Sequence, residues 1–331
     1  MFKKIIFRCD AGEISELGTG HLYRSITLYN LLRKKFSLKK KDVLFIIKNY
    51  SKYKIAEKIL RKNKINFYPL KREITDYSKE EINIINQFNS NLIIIDRWGK
   101  IKKEFIIKLK KNHKKIILID DSSDYRGLVD LSINPLKIFV KKTKNSFIGH
   151  KYNILPSIEK KIPKNKKKKD KVFIFISFGG FDKKNLITKT MNCLNRSSLN
   201  LRYLINDKYK NLIKNHVDVV FFKSKEYYNN LSRADLVISA GGLTMFDAIY
   251  FKKRTICIPQ YNHQLQNINI LDKKKIVYKL DVKNLSKLKH LILNFLNNKY
   301  KYNNIEKKQN EIINLNFMKK TLGLIYKNYE K

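Results

Sequence analysis

Cysteine, proline, alanine and arginine are scarce in this 331-residue chain. The three cysteines (Cys9, Cys193 and Cys257) are odd in number and far apart, and no CxxC pair or Cys/His cluster occurs. A disulfide framework and a structural zinc site are therefore not expected, and the thiols read as reduced and cytoplasmic. No apolar run approaches the ~20 residues of a transmembrane helix. The opening MFKKIIFRCDAGE has an apolar stretch too short for a signal peptide. Acids are also few, 28 against 72 Lys+Arg, for a formal net charge of +44. Such a charge first points to nucleic acid or a membrane surface. Its make-up points elsewhere, because 61 of the basic residues are Lys and only 11 are Arg, beside 45 Ile, 35 Asn and 5 Ala. Lys, Ile and Asn share A/T-rich codons, whereas Ala and Arg mostly need G/C. A selected reader of phosphates or bases would be richer in the planar Arg fork. Much of the charge is thus background on solvated faces.

What is present is α/β patterning, repeated twice. KIIFRCD (4–10), DVLFIIK (42–48), NLIIID (91–96) and KIILIDD (115–121) are apolar runs of strand length. Between them, 21–36, 52–64 and 103–113 have helical spacing. Continuous apolar runs joined by helices predict a parallel sheet covered on both faces, with ligands at the carboxyl ends of its strands. KKIPKNKKKKDK (160–171) holds eight lysines and breaks both periodicities, which reads as a solvated connector. The pattern then restarts with strands in KVFIFISFGG (171–180), 201–206, 218–222, DLVISAGG (235–242) and TICIPQ (255–260). Helices are expected over 183–195, 227–234, 243–252 and the Lys/Asn-rich remainder. The predicted organisation is an N-terminal Rossmann-like domain over 1–158, a linker over 159–171 and a C-terminal Rossmann-like domain over 172–331, its final helix packing back on the first.

Three strand-to-helix junctions carry candidate chemistry. GTGH (18–21) follows the first strand. Gly18 and Gly20 let backbone approach a ligand, and helix-terminal N–H groups suit an anion. The motif lacks the third glycine of a dinucleotide fingerprint and the Gly-Lys-Ser/Thr of a Walker loop. On the motif alone, His21 reads as a helix-start cap or packing residue, or as a general base near neutral pH. SFGGFDKKN (177–185) and SAGGLTMFD (239–247) place Gly-Gly pairs after two strands of the second half. Together they point to a diphosphate lying on glycine backbone and helix N-termini. Asp247 could accept hydrogen bonds from ribose, or could simply complement a helix dipole. PQYNHQLQN (259–267) gathers amides and an imidazole suited to sugar hydroxyls, or forms a polar loop and helix cap.

Taken in order, FRCDAGEISELGTGHLYRS, LIIIDRWG, ILIDDSSD, ISFGGFDKKN, SAGGLTMFD and NHQLQN resemble the UDP-sugar hydrolase of pseudaminic acid biosynthesis and the related spore-coat polysaccharide proteins. The resemblance runs from residue 5 to about residue 270. It implies an α/β, GT-B-like fold, with two Rossmann-like domains whose parallel sheets face a central cleft, as in the N-acetylglucosaminyltransferase of peptidoglycan synthesis. It implies that His21 activates water at the anomeric carbon. Arg8 and Asp10 match the family's opening Arg-x-Asp, and Asp96 and Gly99 its Asp-His-Tyr-Gly, with Arg97 and Trp98 replacing the middle pair. Asp120 and Asp121 match its Asp-Asp. Gly179 and Gly180, followed by Asp182 and Asn185, match one phosphate-side turn. Gly241, Gly242 and Thr244 match the other. Asp247 stands in the ribose-binding Glu position, one methylene shorter, and Gln264 and Asn267 match a sugar-contacting Gln-x-x-Asn. The loop AGEISEL is longer than is usual there.

The resulting expectation is hydrolysis of a UDP-linked amino sugar, of the diacetamido-trideoxy-altropyranose kind, to UDP and free sugar in nonulosonic acid biosynthesis. His21 is the catalytic residue. Arg8, Asp10, Gly18, Gly20, Asp96, Asp121, Gly179, Gly180, Asn185, Gly241, Gly242, Thr244, Asp247, Gln264 and Asn267 bind substrate. No metal and no cofactor are required. The expected form is a cytoplasmic monomer without nucleic acid or membrane insertion. A GT-B glycosyltransferase with a UDP-sugar donor and a non-enzymatic polyanion binder are the alternatives.

Overall fold

The structure, a computed structural model, describes residues 4–14, 17–112, 114–160, 171–194, 201–213, 216, 218–297 and 305–330. Most of the Lys-rich linker, the end of the 183–195 helix and part of the Lys/Asn-rich remainder lie outside the described residues. The first stretch runs β1 (Ile5–Cys9), α1 (Gly20–Phe36), β2 (Val43–Lys48), α2 (Lys54–Lys62), β3 (Phe67–Leu70), α3 (Lys79–Gln87), β4 (Leu92–Asp96), α4 (Lys103–Lys111), β5 (Lys115–Ile119), β6 (Leu131–Asn134) and β7 (Ser146–Ile148). The second runs β8 (Val172–Ser177), α5 (Leu186–Leu194), β9 (Leu201–Asn206), β10 (Val219–Phe222), α6 (Tyr227–Arg233), β11 (Leu236–Ser239), α7 (Leu243–Tyr250), β12 (Arg254–Cys257), α8 (Asn262–Lys273), β13 (Tyr278–Lys279), α9 (Leu288–Asn297), α10 (Ile305–Ile312) and α11 (Leu315–Glu330).

The chain divides into two units, Met1–Pro156 with Leu315–Lys331, and Ser157–Asn314. The last helix, counted by the sequence reading with the C-terminal domain but expected to pack back on the first, groups with the first unit. There α11 buries Met318, Thr321, Leu322, Ile325 and Tyr329, a helical stripe, and Tyr329 meets Phe36 at 4.4 Å between ring centroids.

The first unit's sheet has the order β3-β2-β1-β4-β5-β6-β7, and these neighbouring strands pair in parallel. β1 and β4 are buried end to end, in register from Ile5 against Leu92 to Cys9 against Asp96. Their mostly apolar sequences, interrupted only by Arg8 and ended by Asp96, fit interior parallel strands, each buried Ile or Phe contributing roughly 1.5–3 kcal/mol. Phe7 stacks on Phe45 at 4.7 Å, and Tyr29 closes edge-on at 5.7 Å. The second unit's sheet has the order β10-β9-β8-β11-β12-β13, again parallel. In each sheet the strand order reverses once, at β1/β4 and at β8/β11. Ligands of open α/β sheets bind outside the carboxyl ends of the strands at such reversals. GTGH follows β1, and the two Gly-Gly pairs follow β8 and β11, so all three motifs lie at these points.

Candidate active site and nucleotide site

In the first unit, the loop after β1 is closed by Gly12 N–H donating to Gly18 O at 2.9 Å. Gly18 takes φ +57°, the left-handed region where a side chain is strained. Gly20 opens α1, and Thr19 at the N-cap makes no side-chain cap bond. One residue on, His21 Nδ1 meets Asp96 Oδ1 at 2.6 Å, joining the two strands that flank the reversal. Asp96 is fully buried. Burial disfavours its charge, but Arg24 and His21 outweigh that and hold its carboxyl below the usual range. An ionised Asp96 can only accept, so Nδ1 carries the hydrogen and Nε2 of a neutral ring is the acceptor. This is the geometry of an imidazole oriented by a buried carboxylate for proton transfer.

A second ion cluster lies at the ends of β1 and β2. Arg8 is fully buried and donates to Glu81, to Asp10 Oδ1 at 2.7 Å and to Asp76 at 3.3 Å. Asp10 Oδ1 also takes Lys48 N–H at 2.9 Å. Arg97 pairs with Asp76, and its guanidinium lies over Tyr77 at 4.5 Å. Burial opposes the Arg8 charge, yet Asp10 and Glu81 raise its pKa further above the usual value. Asp10, despite burial, is held below the carboxylate range by Arg8 and Arg97. Asp121 spends Oδ2 on Ile101 N–H at 2.9 Å and Oδ1 on Ser123 N–H at 2.7 Å.

Arg8, Asp10, Asp96 and Asp121, expected to bind substrate, are all buried and make these contacts within the protein. Sequence reasoning missed Arg24, Lys48, Asp76 and Glu81. Arg24 carried a signal, since it follows His21 by three residues on one helix face. Ser78 and Glu81 form a Ser-x-x-Glu start, with Ser78 Oγ accepting from Glu81 N–H at 3.2 Å.

In the second unit the junction after β8 has Gly179 at φ +86° with open space where a Cβ would stand, and Gly180 is exposed. The N-terminus of α5 is already filled. Asp182 accepts from Leu186 N–H and Ile187 N–H at 2.8 Å each. Of the two helix N-termini expected to face a diphosphate, this one carries a carboxylate cap. Asn185 is exposed, at φ +53°, and supplies backbone to the start of α5. The start of α7 differs. Gly242 is its N-cap and no side chain caps it. The first N–H groups of a helix have no intrahelical partner, so these can meet an anion.

Gly241 has a packing reason. A Cβ there would stand 2.7 Å from Gln264 O and 2.9 Å from the Ile268 side chain, so only glycine lets α8 approach. Gln264 is nearly buried and accepts Gln260 N–H at 2.9 Å. Gln260, which the sequence reading did not single out, donates to Phe178 O at 2.8 Å and ties the β12 loop to the β8 loop. Its Oε1 has no partner. Asn267 is buried and donates back to His263 O at 3.2 Å.

Thr244 Oγ1 accepts from Tyr227 OH at 3.1 Å. Asp247 lies just beyond, 3% exposed, with Oδ1 lacking any hydrogen-bond partner. Burial pushes its carboxyl up to about 7, and Ser157 beside it lowers it only in part. Cys9 and Cys257 are buried, Cys193 is exposed, and all three are free thiols. Among the described residues no His/Cys/Asp/Glu group could hold a metal, and no helix is long and apolar enough to cross a membrane.

Two parallel-sheet Rossmann-like units, each with its polar residues at the strand reversal, define the GT-B architecture. Residues 158–322 match the Glycosyltransferase family 28 C-terminal domain. Uncharacterized protein MJ1062 of Methanocaldococcus jannaschii is 26% identical over 277 residues, covering 76% of this chain and 54% of its own length. The chain thus spans about half the length of that curated relative. MurG of Acinetobacter baumannii, at 10% identity, has a TM-score of 0.66 over 98% of this chain and 99% of its own. The spinosyn rhamnosyltransferase SpnG, complexed with thymidine diphosphate, gives the same identity, score and coverage. At such identity these structures show the fold.

Proposed function

We propose that this protein is a cytoplasmic nucleotide-sugar hydrolase that splits a UDP-linked amino sugar into UDP and free sugar, in the biosynthesis of a nonulosonic acid such as pseudaminic acid. The observation that carries the reading is His21, held through Nδ1 by a buried carboxylate at the strand reversal of the first sheet. Nε2 takes a proton from water as the water oxygen attacks the anomeric carbon. The bond from that carbon to the diphosphate oxygen breaks, and UDP leaves with the electron pair. The N–H groups at the start of α7 and the glycine backbone beside them receive the negative charge that grows on the diphosphate. Asp247, with an unfilled acceptor, takes ribose hydroxyls. The residues engaged in scaffold contacts, Arg8, Asp10, Asp96 and Asp121, serve by holding the loops and the imidazole. SpnG in complex with thymidine diphosphate supports a nucleoside diphosphate on this fold.

A second reading is a glycosyltransferase, favoured by the match of 158–322 to a glycosyltransferase domain. Here a sugar or lipid hydroxyl replaces water. One assay separates the two. UDP release is followed over a panel of UDP- and CMP-sugars, with and without acceptor, in wild type and His21→Ala. Hydrolysis predicts acceptor-independent release, reduced by about 10²–10⁴-fold in His21→Ala with UDP still bound. Release only with an acceptor establishes the transferase, and full activity in His21→Ala removes the base from His21.

A further inference from the structure

His21 and Arg24 stand one helical turn apart on α1, so their side chains leave the same face. Arg24 is 2% exposed, and its fork closes on Asp96. Nε donates to Oδ2 and Nη2 to Oδ1, both at 2.7 Å. Nη1 donates to Asp120 Oδ2 at 2.6 Å. Asp120 adopts φ +53° after β5, and its other oxygen accepts Leu136 N–H at 2.8 Å and Lys137 N–H at 3.2 Å. Asp96 Oδ1, the oxygen that holds His21, is therefore shared with a guanidinium fixed at both ends.

We propose that Arg24 is a positioning residue for His21, fixing the orientation and charge of Asp96 so that Nδ1 stays protonated and Nε2 stays the acceptor. The proposal rests on the reading of His21 as the base. Two-point donation locks one rotamer of the Asp96 carboxylate. The charges set the size of the effect. Asp96 and Asp120 bring two negative charges and Arg24 one positive, so the cluster has one excess negative charge beside a neutral imidazole. It is balanced once His21 carries a proton, the state that follows attack. Lys137, beside Asp120 and Asp96, and Asp121 beside it bring opposite charges; the Arg8–Asp10 pair beyond Cys9 is likewise balanced, and burial keeps the Cys9 thiol neutral. Without Arg24 two carboxylates are left uncompensated. The His21–Asp96 pair then binds its proton more tightly, and at neutral pH the ring is charged before water arrives.

The test uses the full chain. Arg24→Gln removes the charge, Arg24→Lys keeps it without the fork, and Asp120→Asn removes one carboxylate while leaving Arg24. The acid side of the kcat/KM profile moves to higher pH by about one to three units in Arg24→Gln. It moves to lower pH in Asp120→Asn. In Arg24→Lys it stays near the wild-type position with kcat down roughly tenfold, the cost of a looser imidazole. KM for the nucleotide sugar and UDP affinity change by less than about twofold in all three, because the substrate does not touch Arg24. Nitrogen-15 NMR of the His21 ring, assigned with His21→Ala, reports the same shifts without turnover. Profiles and ring titrations that coincide with wild type in folded variants overturn the proposal, as does a shift of the same sign in Arg24→Gln and Asp120→Asn. Should Arg24→Gln fail to fold, Asp120→Asn and Arg24→Lys carry the test. Should His21→Ala keep full turnover, the base reading falls while the ring titration still decides the role of Arg24.

Discussion

The two strand reversals of this molecule are built oppositely. In the first unit acids and bases pair in two connected clusters. His21, Asp96, Arg24 and Asp120 form one chain of contacts, and Arg8, Asp10, Asp76, Glu81 and Lys48 another. In the second unit the polar groups are left open. The start of α7 has no cap, Asp247 Oδ1 and Gln260 Oε1 have no partner, and Gly179 faces open space. Leaving a buried acceptor unpaired costs roughly 1–3 kcal/mol, a cost that a fitting ligand removes. A paired network instead holds a reacting group in one geometry before the substrate binds. Under the proposed function, the contrast matches proton transfer in the first unit and recognition in the second.

Gly241→Val should have the largest effect. Its side chain meets Gln264 O and Ile268 well inside van der Waals contact, so α8 is displaced and the Gln260–Gln264 link with it. UDP affinity falls by at least about 100-fold and stability by about 1–3 kcal/mol or more, measured by calorimetry and urea unfolding. Unchanged UDP binding would break the assignment of recognition to this turn.

Asp247→Asn sharpens the comparison through pH. A buried carboxyl raised to about 7 keeps a proton in the folded state that the unfolded chain has released above about pH 4. Folded stability therefore declines as pH rises from about 4 to about 7, and Asp247→Asn removes that part of the slope. In the wild type UDP affinity rises as the carboxylate forms, whereas in Asp247→Asn it is flat and about tenfold weaker at pH 8. Thermal melts and titration calorimetry at several pH values check both signs.

Asp182→Ala should have the smallest effect, because it removes a cap and not a ligand contact. Stability falls by about 1 kcal/mol and UDP affinity stays within twofold. A large gain or loss of UDP affinity would show that the start of α5 belongs to the nucleotide site after all.

The fold was legible because its central strands are rich in Ile, Val, Leu and Phe and its glycine junctions punctuate them. β3, β6, β7 and β13 were missed, being two to four residues long, one of them carrying a proline, with too few positions to show a period. α3 was missed as well, and with it Glu81. The motif residues were found at the right loops, but motif spacing does not tell a ligand contact from a scaffold contact. Both kinds of role select Asp and Arg, and only the partners across the sheet separate them. Arg24 and Gln260 act through residues 72 and 82 positions away, a separation that local periodicity cannot register.

The return of α11 to the first unit has a consequence for the order of events during synthesis. That helix covers apolar surface beside β5 and β6, yet it is translated after the whole of the second unit. On the ribosome the second unit can be complete while the first still lacks its last helix. For that interval the first sheet has an uncovered apolar face, a state prone to wrong association. A stalled or truncated chain ending before Leu315 would be locked in it. The first sheet therefore gains the cover of this sixteen-residue helix only after the second unit has been translated.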